Sequence, residues 1–329
     1  AKEATVPNMV PKNKLESANQ VSLLAAYGTA PIAAIVFSLL ALVSVGTTSI
    51  LPSEYSSTAD LALYINAISF LYTAWIVYQL REIPKGPGKS GVASENIGKS
   101  LFEGFKFVSG SKVIRGLIFG MLGAFFAAGA VIGLARTFVG DLKAGDAAYG
   151  ILFGSVFTGL ALGISVGPKV FAQFSRRRIF GATLTISSSF LILLSLMTNL
   201  VLAIFITVLL GAFAGVSWVT GFTMLGLEVA DEVRGRTFAY VQSLIRVSLV
   251  FVLAVAPLVA AAIGRHTYKF ENFEVTYNGA AFTMFAAGVI GVIVGVISYR
   301  TMRDRPTVSL WSDIVAASRG ELGGITGTT

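Results

Sequence analysis

One arginine inside an otherwise uncharged segment is the residue of this sequence best placed to do chemistry. Arg246 lies within residues 237–263, and Gln242 and Ser243 precede it by about one helical turn. Ten residues, or about 15 Å of helix, separate it from Arg236. We therefore predict that Arg246 lies near the middle of a membrane span and faces a cavity, where it binds an anionic group or gates a polar route.

A shifted helix is the alternative interpretation of Arg246. Residues 247–263 alone form a run of 17 uncharged residues, which is within the spanning range, and the arginine side chain can then reach the lipid headgroups. Aromatic or hydroxyl side chains in apolar segments supply three further cavity candidates, Trp218, Thr223 and Tyr27. Ordinary helix packing or an aromatic belt at the membrane interface explains these three equally well.

The remaining composition excludes most enzyme chemistry. The 329 residues contain no cysteine and one histidine, His266, which falls in a predicted outer loop of residues 264–278 and is most simply solvated. Asp, Glu and His do not cluster as acid–base or metal chemistry requires. The Gly88-Lys89 pair lacks the glycine of a phosphate-binding loop, because Ile83 stands five residues before Gly88. We predict a protein that is not an enzyme and has no metal and no cofactor.

The elements that must position the candidate residues are membrane helices. Apolar residues make up 54% of the sequence and charged residues 13%, unlike the composition of soluble domains. A helix needs about 20 apolar residues to cross a bilayer, and eight runs that are uncharged, Arg246 apart, have about that length. They are residues 21–46, 61–80, 116–135, 147–168, 179–197, 201–227, 237–263 and 280–299. The sequence predicts an all-α polytopic membrane helical bundle of eight spans.

Lysines and arginines are distributed unequally between the two sides of this bundle. Of the 25, 20 fall on one side, 4 on the other, and Arg246 lies within a span. Cytoplasmic loops retain positive charge, so both ends of the sequence are predicted to be cytoplasmic, in a plasma or bacterial inner membrane. The excess recurs in every second loop and so forms no nucleic-acid patch; the predicted partners are the lipid bilayer and a small-molecule substrate. The cytoplasmic loops include Arg176, Arg177, Arg178, Arg234 and Arg236.

Glycines recur about every four residues in the fourth predicted span. Small residues let helix backbones approach closely in lipid, so this face is expected to pack against a neighbouring helix. Sliding at the same face during a transport cycle is the functional alternative, and static packing is the simpler one in a chain with 35 glycines. The glycines are Gly150, Gly154, Gly159, Gly163 and Gly167.

Three segments, in order along the chain, resemble the efflux-type branch of the major facilitator superfamily. Residues 6–19 (VPNMVPKNKLESAN) resemble the cytoplasmic loop before that branch's fifth helix, and residues 100–107 (SLFEGFKF) resemble the amphipathic piece before its seventh. Residues 228–239 (EVADEVRGRTFA) resemble the loop between its tenth and eleventh helices. The loop at residues 167–178 departs from the family's pattern because it contains no acidic residue.

The resemblance implies a major-facilitator-like fold in which the eight spans are family helices five to twelve and the N-terminal helices of the same protein are missing. It implies a secondary transporter that exports a small molecule by alternating access, incomplete in this fragment. Residues 1–80 are then a two-span remnant of the N-terminal domain, and residues 81–115 are a cytoplasmic linker with an amphipathic helix. Residues 116–300 form the six-span C-terminal domain, and residues 301–329 form a cytoplasmic tail.

The chain is also similar to the transporter part of actinobacterial proteins in which a transporter precedes a thymidylate kinase domain. This similarity leaves a second function open. The helices would then serve as a membrane anchor or a regulatory module for a fused soluble enzyme.

Overall fold

The computed structural model describes residues 14–27, 58–79, 111–142, 145–229, 231–270 and 273–302, with positions 29, 32, 33 and 36. These residues form eight helices and a two-stranded antiparallel sheet. The helices are α1 (Leu15–Tyr27), α2 (Thr58–Gln79), α3 (Lys112–Asp141), α4 (Gly145–Val170), α5 (Arg176–Ser195), α6 (Leu200–Glu228), α7 (Asp231–Ile263) and α8 (Gly279–Thr301), and the strands are β1 (Arg265–Phe270) and β2 (Phe273–Asn278).

Six of the described helices, α3 to α8, are long and apolar enough to cross a membrane. Each corresponds to one predicted span. The first predicted span, residues 21–46, lies mostly outside the described residues, as does the predicted amphipathic helix of the linker. In α2 the apolar part that the structure describes is Leu63–Ile76, which is shorter than a span.

The helices extend beyond the uncharged runs by which the sequence located them. The helix α3 begins at Lys112 and continues past Arg136 to Asp141, because a charged side chain at the membrane edge can remain helical while its end reaches water. The helix α1 begins at Leu15, so the last part of the predicted loop of residues 6–19 is helical.

Asparagine side chains cap the N-termini of two helices at one end of the bundle. Asn199 accepts hydrogen bonds at its Oδ1 from the backbone N–H groups of Val201 and Leu202, at 2.9 and 3.2 Å, and so begins α6. Asn278 begins α8 in the same way, accepting from Ala280 and Ala281. These caps satisfy N–H groups that a helix start leaves without partners.

The segment between α7 and α8 is a β-hairpin, whereas the sequence predicts an outer loop there. Its register runs from Arg265 opposite Asn278 to Phe270 opposite Phe273. Threonine, tyrosine, valine and phenylalanine are frequent in the two strands and favour extended backbone. His266 is exposed, and its ring lies 5.7 Å from that of Phe282.

Two clusters of buried apolar side chains form the core of α3 to α8, one toward each end of the bundle. One cluster joins the first halves of α3, α5 and α7 to the last halves of α6 and α8, and it includes Ile114, Phe180, Phe222, Leu225, Phe238 and Met302. The other joins the opposite ends and includes Phe138, Leu152, Leu194, Ala203, Ala256 and Ala280. Consecutive helices therefore run in alternating directions.

Contacts divide the chain into two compact units. The helix α1 belongs with α3 to α8 in one unit, where it packs on α4 and α6, and α2 lies in the other. Side chains of α2 from Leu63 to Ile76 are exposed.

Candidate functional site

Arg246 lies about midway along α7 with its side chain exposed, as do Ser243 before it and Val247 after it. Fifteen residues, or about 22 Å of helix, separate it from the first residue of α7, Asp231. The residues on the opposite side of this half of α7, Val241 and Ile245, are buried in the core. Arg246 thus lies within the candidate span Thr237–Ile263, on a helix that is packed into the bundle on its other side.

Most of the exposed residues of α7 fall into two adjacent strips that differ in side-chain size; Gly235, Val259 and Ala262 are the other described positions that are exposed. The first strip spans about 80° of arc around the helix, at about 100° per residue, and Val250 is its one bulky apolar residue. We call this set the small-residue strip; its other members are Ala239, Ser243, Arg246, Ala254, Pro257 and Ala261. The bulky strip beside it consists of Val247, Phe251 and Leu258, all more than half exposed.

A second line of side chains joins Arg246 to an aromatic cluster. Phe238, Gln242 and Arg246 follow one another at four-residue steps on α7, and their burial decreases from buried through half-buried to exposed. The buried ring of Phe238 lies 6.4 Å from that of Phe222 on α6, which in turn lies 6.4 Å from the ring of Trp218. The aromatic cluster therefore begins two turns from Arg246.

The ring of Trp218 meets Phe125 of α3 edge to face, with 5.0 Å between the ring centres. Both side chains are half-buried, unlike Phe222 and Phe238, which are buried behind them. Trp218 also packs against a small cluster that contains Leu23 of α1. It therefore links the side of the bundle that α1 covers to the side that carries α7.

Phe125 lies at the depth of Arg246, which follows from how α3 packs on α7. A Cβ placed on Gly129 would meet Leu249 and Val252 at 3.2 to 3.3 Å, and one placed on Gly133 would meet Leu253. The two helices therefore run parallel. One turn before Gly129 on α3 is Phe125, and the matching step back on α7 reaches Arg246.

Thr223 and Tyr27, the other two cavity candidates, have different surroundings. Thr223 is buried, and its Oγ1 accepts a hydrogen bond of 3.2 Å from Nδ2 of Asn19 on α1. The neighbouring Gln20 donates from Nε2 to the backbone oxygen of Ser165 on α4, at 2.6 Å. Two polar contacts therefore hold α1 on α4 and α6. The side chain of Tyr27 lies outside the described residues.

The predicted glycine face of α4 has an open part near the start of the helix and a part that packs tightly on α6. A Cβ at Gly150 or Gly154 would meet nothing within 4 Å. A Cβ at Gly159 or Gly163 would overlap the backbone oxygen of Val208 or Ala212 on α6, and one at Gly167 would lie 2.5 Å from Val216 Cγ2.

The same overlap occurs in the reverse direction. A Cβ at Gly211 or Gly215 of α6 would overlap the backbone oxygen of Val156 or Leu160 on α4. We call these four glycines, Gly159, Gly163, Gly211 and Gly215, the α4–α6 seam. Backbone meets backbone there, as small residues permit in lipid.

The loop at residues 167–178 contains no acidic residue, but one of its arginines forms an ion pair with an acidic residue of α6. Nη2 of Arg177 lies 2.6 Å from Oε1 of Glu228, the last residue of α6. Arg176 is exposed and Arg178 is buried at the start of α5. The side chains of Arg234 and Arg236 lie outside the described residues. The sequence indicates Glu228 only as part of the loop at residues 228–239, because no local pattern points to a partner 51 residues away.

The basic residues of these helix ends gather at one end of the bundle. Gly116 near the start of α3 contacts Met302 beyond the end of α8, and Gly181 near the start of α5 contacts Tyr299. The ion pair adds the end of α6 to this group. Lys112, Arg115, Arg176, Arg177, Arg178 and Arg300 therefore belong to one end, as their sorting by sequence requires.

Comparison with known families gives one match, to a family model described as transmembrane secretion effector, over residues 1–318. The chain belongs to that family. It is an efflux-type family of the major facilitator superfamily, so the protein is a multi-pass membrane protein of a transporter family whose members are generally not enzymes. No curated protein and no solved structure matches the chain. The predicted resemblance to the efflux-type branch is confirmed, and the finer similarity to a transporter fused to a thymidylate kinase stays a prediction.

Proposed function

We propose that this protein is a secondary active transporter that exports a small molecule by alternating access, and that its substrate binds beside α7 at Arg246. The observation that carries the proposal is the small-residue strip with Arg246 about midway along a membrane helix. An arginine that faces lipid at that depth costs about 2.5–3.5 kcal/mol on insertion scales, whereas one that lines a water-filled route keeps its hydration.

The size difference between the two strips supports the same assignment. Val247, Phe251 and Leu258 suit contact with lipid tails, and the neighbouring strip of alanine, serine and proline leaves room beside the helix. A substrate route needs both room and hydrogen-bonding groups, and Ser243, Gln242 and Arg246 provide those groups. Thr223 is assigned to the contact with α1 in this proposal, and Tyr27 stays a candidate from the sequence.

Packing around Arg246 opposes the interpretation in which it reaches the headgroups. That interpretation makes the part of α7 before Arg246 a surface segment. Phe238, Val241 and Ile245, which precede Arg246, are instead buried in the same cluster as Ile114 and Leu225 of two other membrane helices. From Phe238 to Arg246, about two turns of α7 are therefore packed into the bundle before Arg246 is reached.

We further propose that α1 to α8 correspond to family helices five to twelve, with the basic end of the bundle in the cytoplasm. Support comes from the three family-like segments, which lead into α1, α3 and α7 and partly overlap the first and last of these helices, and from the gathering of basic helix ends. The predicted division into residues 1–80, 81–115, 116–300 and 301–329 belongs to the same proposal. Contact of α1 with α4 and α6 is then contact between the two transporter domains.

Flux through the reconstituted full-length protein tests the proposed function. Proteoliposomes with an imposed pH gradient and potassium diffusion potential are loaded with a panel of fluorescent and radiolabelled compounds of both charge signs. Export of at least one compound above protein-free liposomes is expected, and Arg246→Leu should abolish it while Phe251→Leu, on the bulky strip, leaves it unchanged. A membrane anchor for a fused enzyme moves no compound, so wild-type protein without flux would exclude transport.

A further inference from the structure

We infer that the substrate is an organic anion with an aromatic ring, its charge held by Arg246 and its ring placed against Trp218 and Phe125. The inference rests on the proposed function, because it names the substrate class of the same site. Three properties of the site lead to it: the sign of its charge, the exposure of its rings and their shared depth.

The sign of the charge selects an anion. Arg246 is the one charged residue in the eight apolar runs of the sequence, so no acidic side chain of those runs can neutralise a cation bound there. A guanidinium offers five N–H donors in a planar fork that matches a carboxylate or a similar anion. Beside Arg246, a cationic substrate would therefore meet repulsion that no acidic side chain of those runs offsets, and an anion would be attracted.

The exposure of the rings selects an aromatic body. Trp218 and Phe125 are half-buried, so part of each side chain is exposed. Phe222, which stacks on the indole, and Phe238, whose ring lies next to Phe222, are buried. Aromatic rings pair with other rings in stacked or edge-to-face geometry with a gain beyond simple burial. A planar ligand ring fits this surface better than a flexible chain does.

The two parts of the site lie at one depth in the bundle. Packing of Gly129 and Gly133 on α7 places Phe125 level with Arg246, and the step from Arg246 through Gln242 to Phe238 leads back to the ring cluster. The proposed ligand is therefore a compact molecule whose anionic group is close to its ring. Gln242 and Ser243 add hydrogen-bonding groups between the two parts of the site.

Three probes separate charge from ring in the full-length protein. Carboxyfluorescein and rhodamine 6G share a xanthene ring and differ in charge sign, and octanoate is an anion without a ring. Binding of the dyes is followed by fluorescence anisotropy in detergent, and flux of all three is followed in proteoliposomes. We expect carboxyfluorescein to be bound at least about tenfold better than rhodamine 6G, as loss of one charged hydrogen bond implies. Its export should exceed that of both rhodamine 6G and octanoate, which lacks the ring.

Variants of the two parts give the second readout. Arg246→Gln should weaken carboxyfluorescein binding roughly 10- to 100-fold. Arg246→Lys keeps the charge and loses the planar fork, so its binding should be intermediate. Trp218→Leu should weaken carboxyfluorescein binding several-fold and leave weak octanoate transport unchanged, with Trp218→Phe intermediate. Phe251→Leu on the bulky strip and Arg300→Gln at the end of α8 are the matched controls for ring and charge, and both should bind like wild type.

The outcomes separate this inference from the proposed function. Export of rhodamine 6G in place of carboxyfluorescein, or carboxyfluorescein binding that Arg246→Gln leaves unchanged, overturns the substrate class and leaves transport standing. Export of other compounds in the wider panel without binding of carboxyfluorescein has the same meaning. Absence of any flux across the wider panel removes the proposed function, and the substrate class falls with it.

Discussion

The α4–α6 seam and the exposed side of α7 are two surfaces of one helical bundle with opposite construction. At the seam, Gly159 and Gly163 face the backbone of α6 with no side chain between the two helices. On α7, Arg246 and its small neighbours face outward. Helices in backbone contact cannot slide without losing their packing, which favours static packing over gating for the glycines of the seam. Movement and substrate contact are expected where the bundle leaves a helix face open.

Gly163→Leu is expected to have the largest effect of the changes that test this contrast. A side chain at this position overlaps the backbone oxygen of Ala212, and backbone cannot yield as a flexible side chain can. We expect the free energy of unfolding to fall by about 3 kcal/mol or more and the purified protein to aggregate, as measured by size-exclusion chromatography and thermal melting.

Gly154→Leu is the control for that substitution on the same helix. A Cβ at Gly154 meets nothing within 4 Å, so the variant should elute and melt like wild type. Equal destabilisation by both changes would mean that α4 tolerates no leucine anywhere along this face. Backbone contact at the seam would then not be the cause of the destabilisation.

Arg246→Leu, unlike Gly163→Leu, should abolish transport with little change in stability. The side chain is exposed and its replacement is apolar, so the free energy of unfolding should change by about 0.5 kcal/mol or less. Flux in proteoliposomes should fall to the level of protein-free liposomes. A large drop in melting temperature would instead give Arg246 a structural role.

Thr223→Val tests the attachment of α1 at the edge of the seam helices. The change keeps the shape of the side chain and removes the acceptor of the Asn19 hydrogen bond. Bonds of this kind between membrane helices contribute about 0.6 kcal/mol on average and up to about 1.7 kcal/mol. Thermal unfolding should show that loss, whereas Thr158→Val, whose hydroxyl bonds only to Gly154 in its own helix, should cost less.

Separating Arg177 from Glu228 should have a small effect on stability and little effect on transport. The pair is short, but both side chains are about one third exposed, at 35% and 29%. Exposed pairs contribute about 0.2–1 kcal/mol, and salt screens them. A double-mutant cycle with Arg177→Ala and Glu228→Ala should give a coupling in that range that decreases at high salt; a coupling above about 2 kcal/mol would show that the pair holds α5 to α6.

Six of the eight predicted spans, and the position of Arg246 within one of them, could be read from the sequence because each depends on a local signal. A charge in an apolar run is visible without knowledge of neighbours, and runs of about 20 apolar residues indicate membrane helices directly. The glycine spacing of α4 was equally visible. Its division into packed and open parts was not, because it depends on where α6 crosses α4.

The rest of the site depends on contacts between distant parts of the chain. Phe125 is one of 24 phenylalanines, and only the packing of α3 on α7 brings it to the depth of Arg246. The sequence gives no partner for Glu228, and only the fold brings it to Arg177. The β-hairpin was missed because strands of six residues give a weak signal beside long apolar helices.

That hairpin limits how α7 can move. Pairing of Arg265 with Asn278 holds the last residues of α7 beside the first residues of α8, where Gly279 packs directly on the backbone of Ala260. The far end of α7 is thus tied to its neighbour, and any tilt of α7 must turn about this fixed point. The largest displacement would then fall at the opposite end, where Asp231 begins the helix, and Arg246, partway along the lever, would travel a shorter distance.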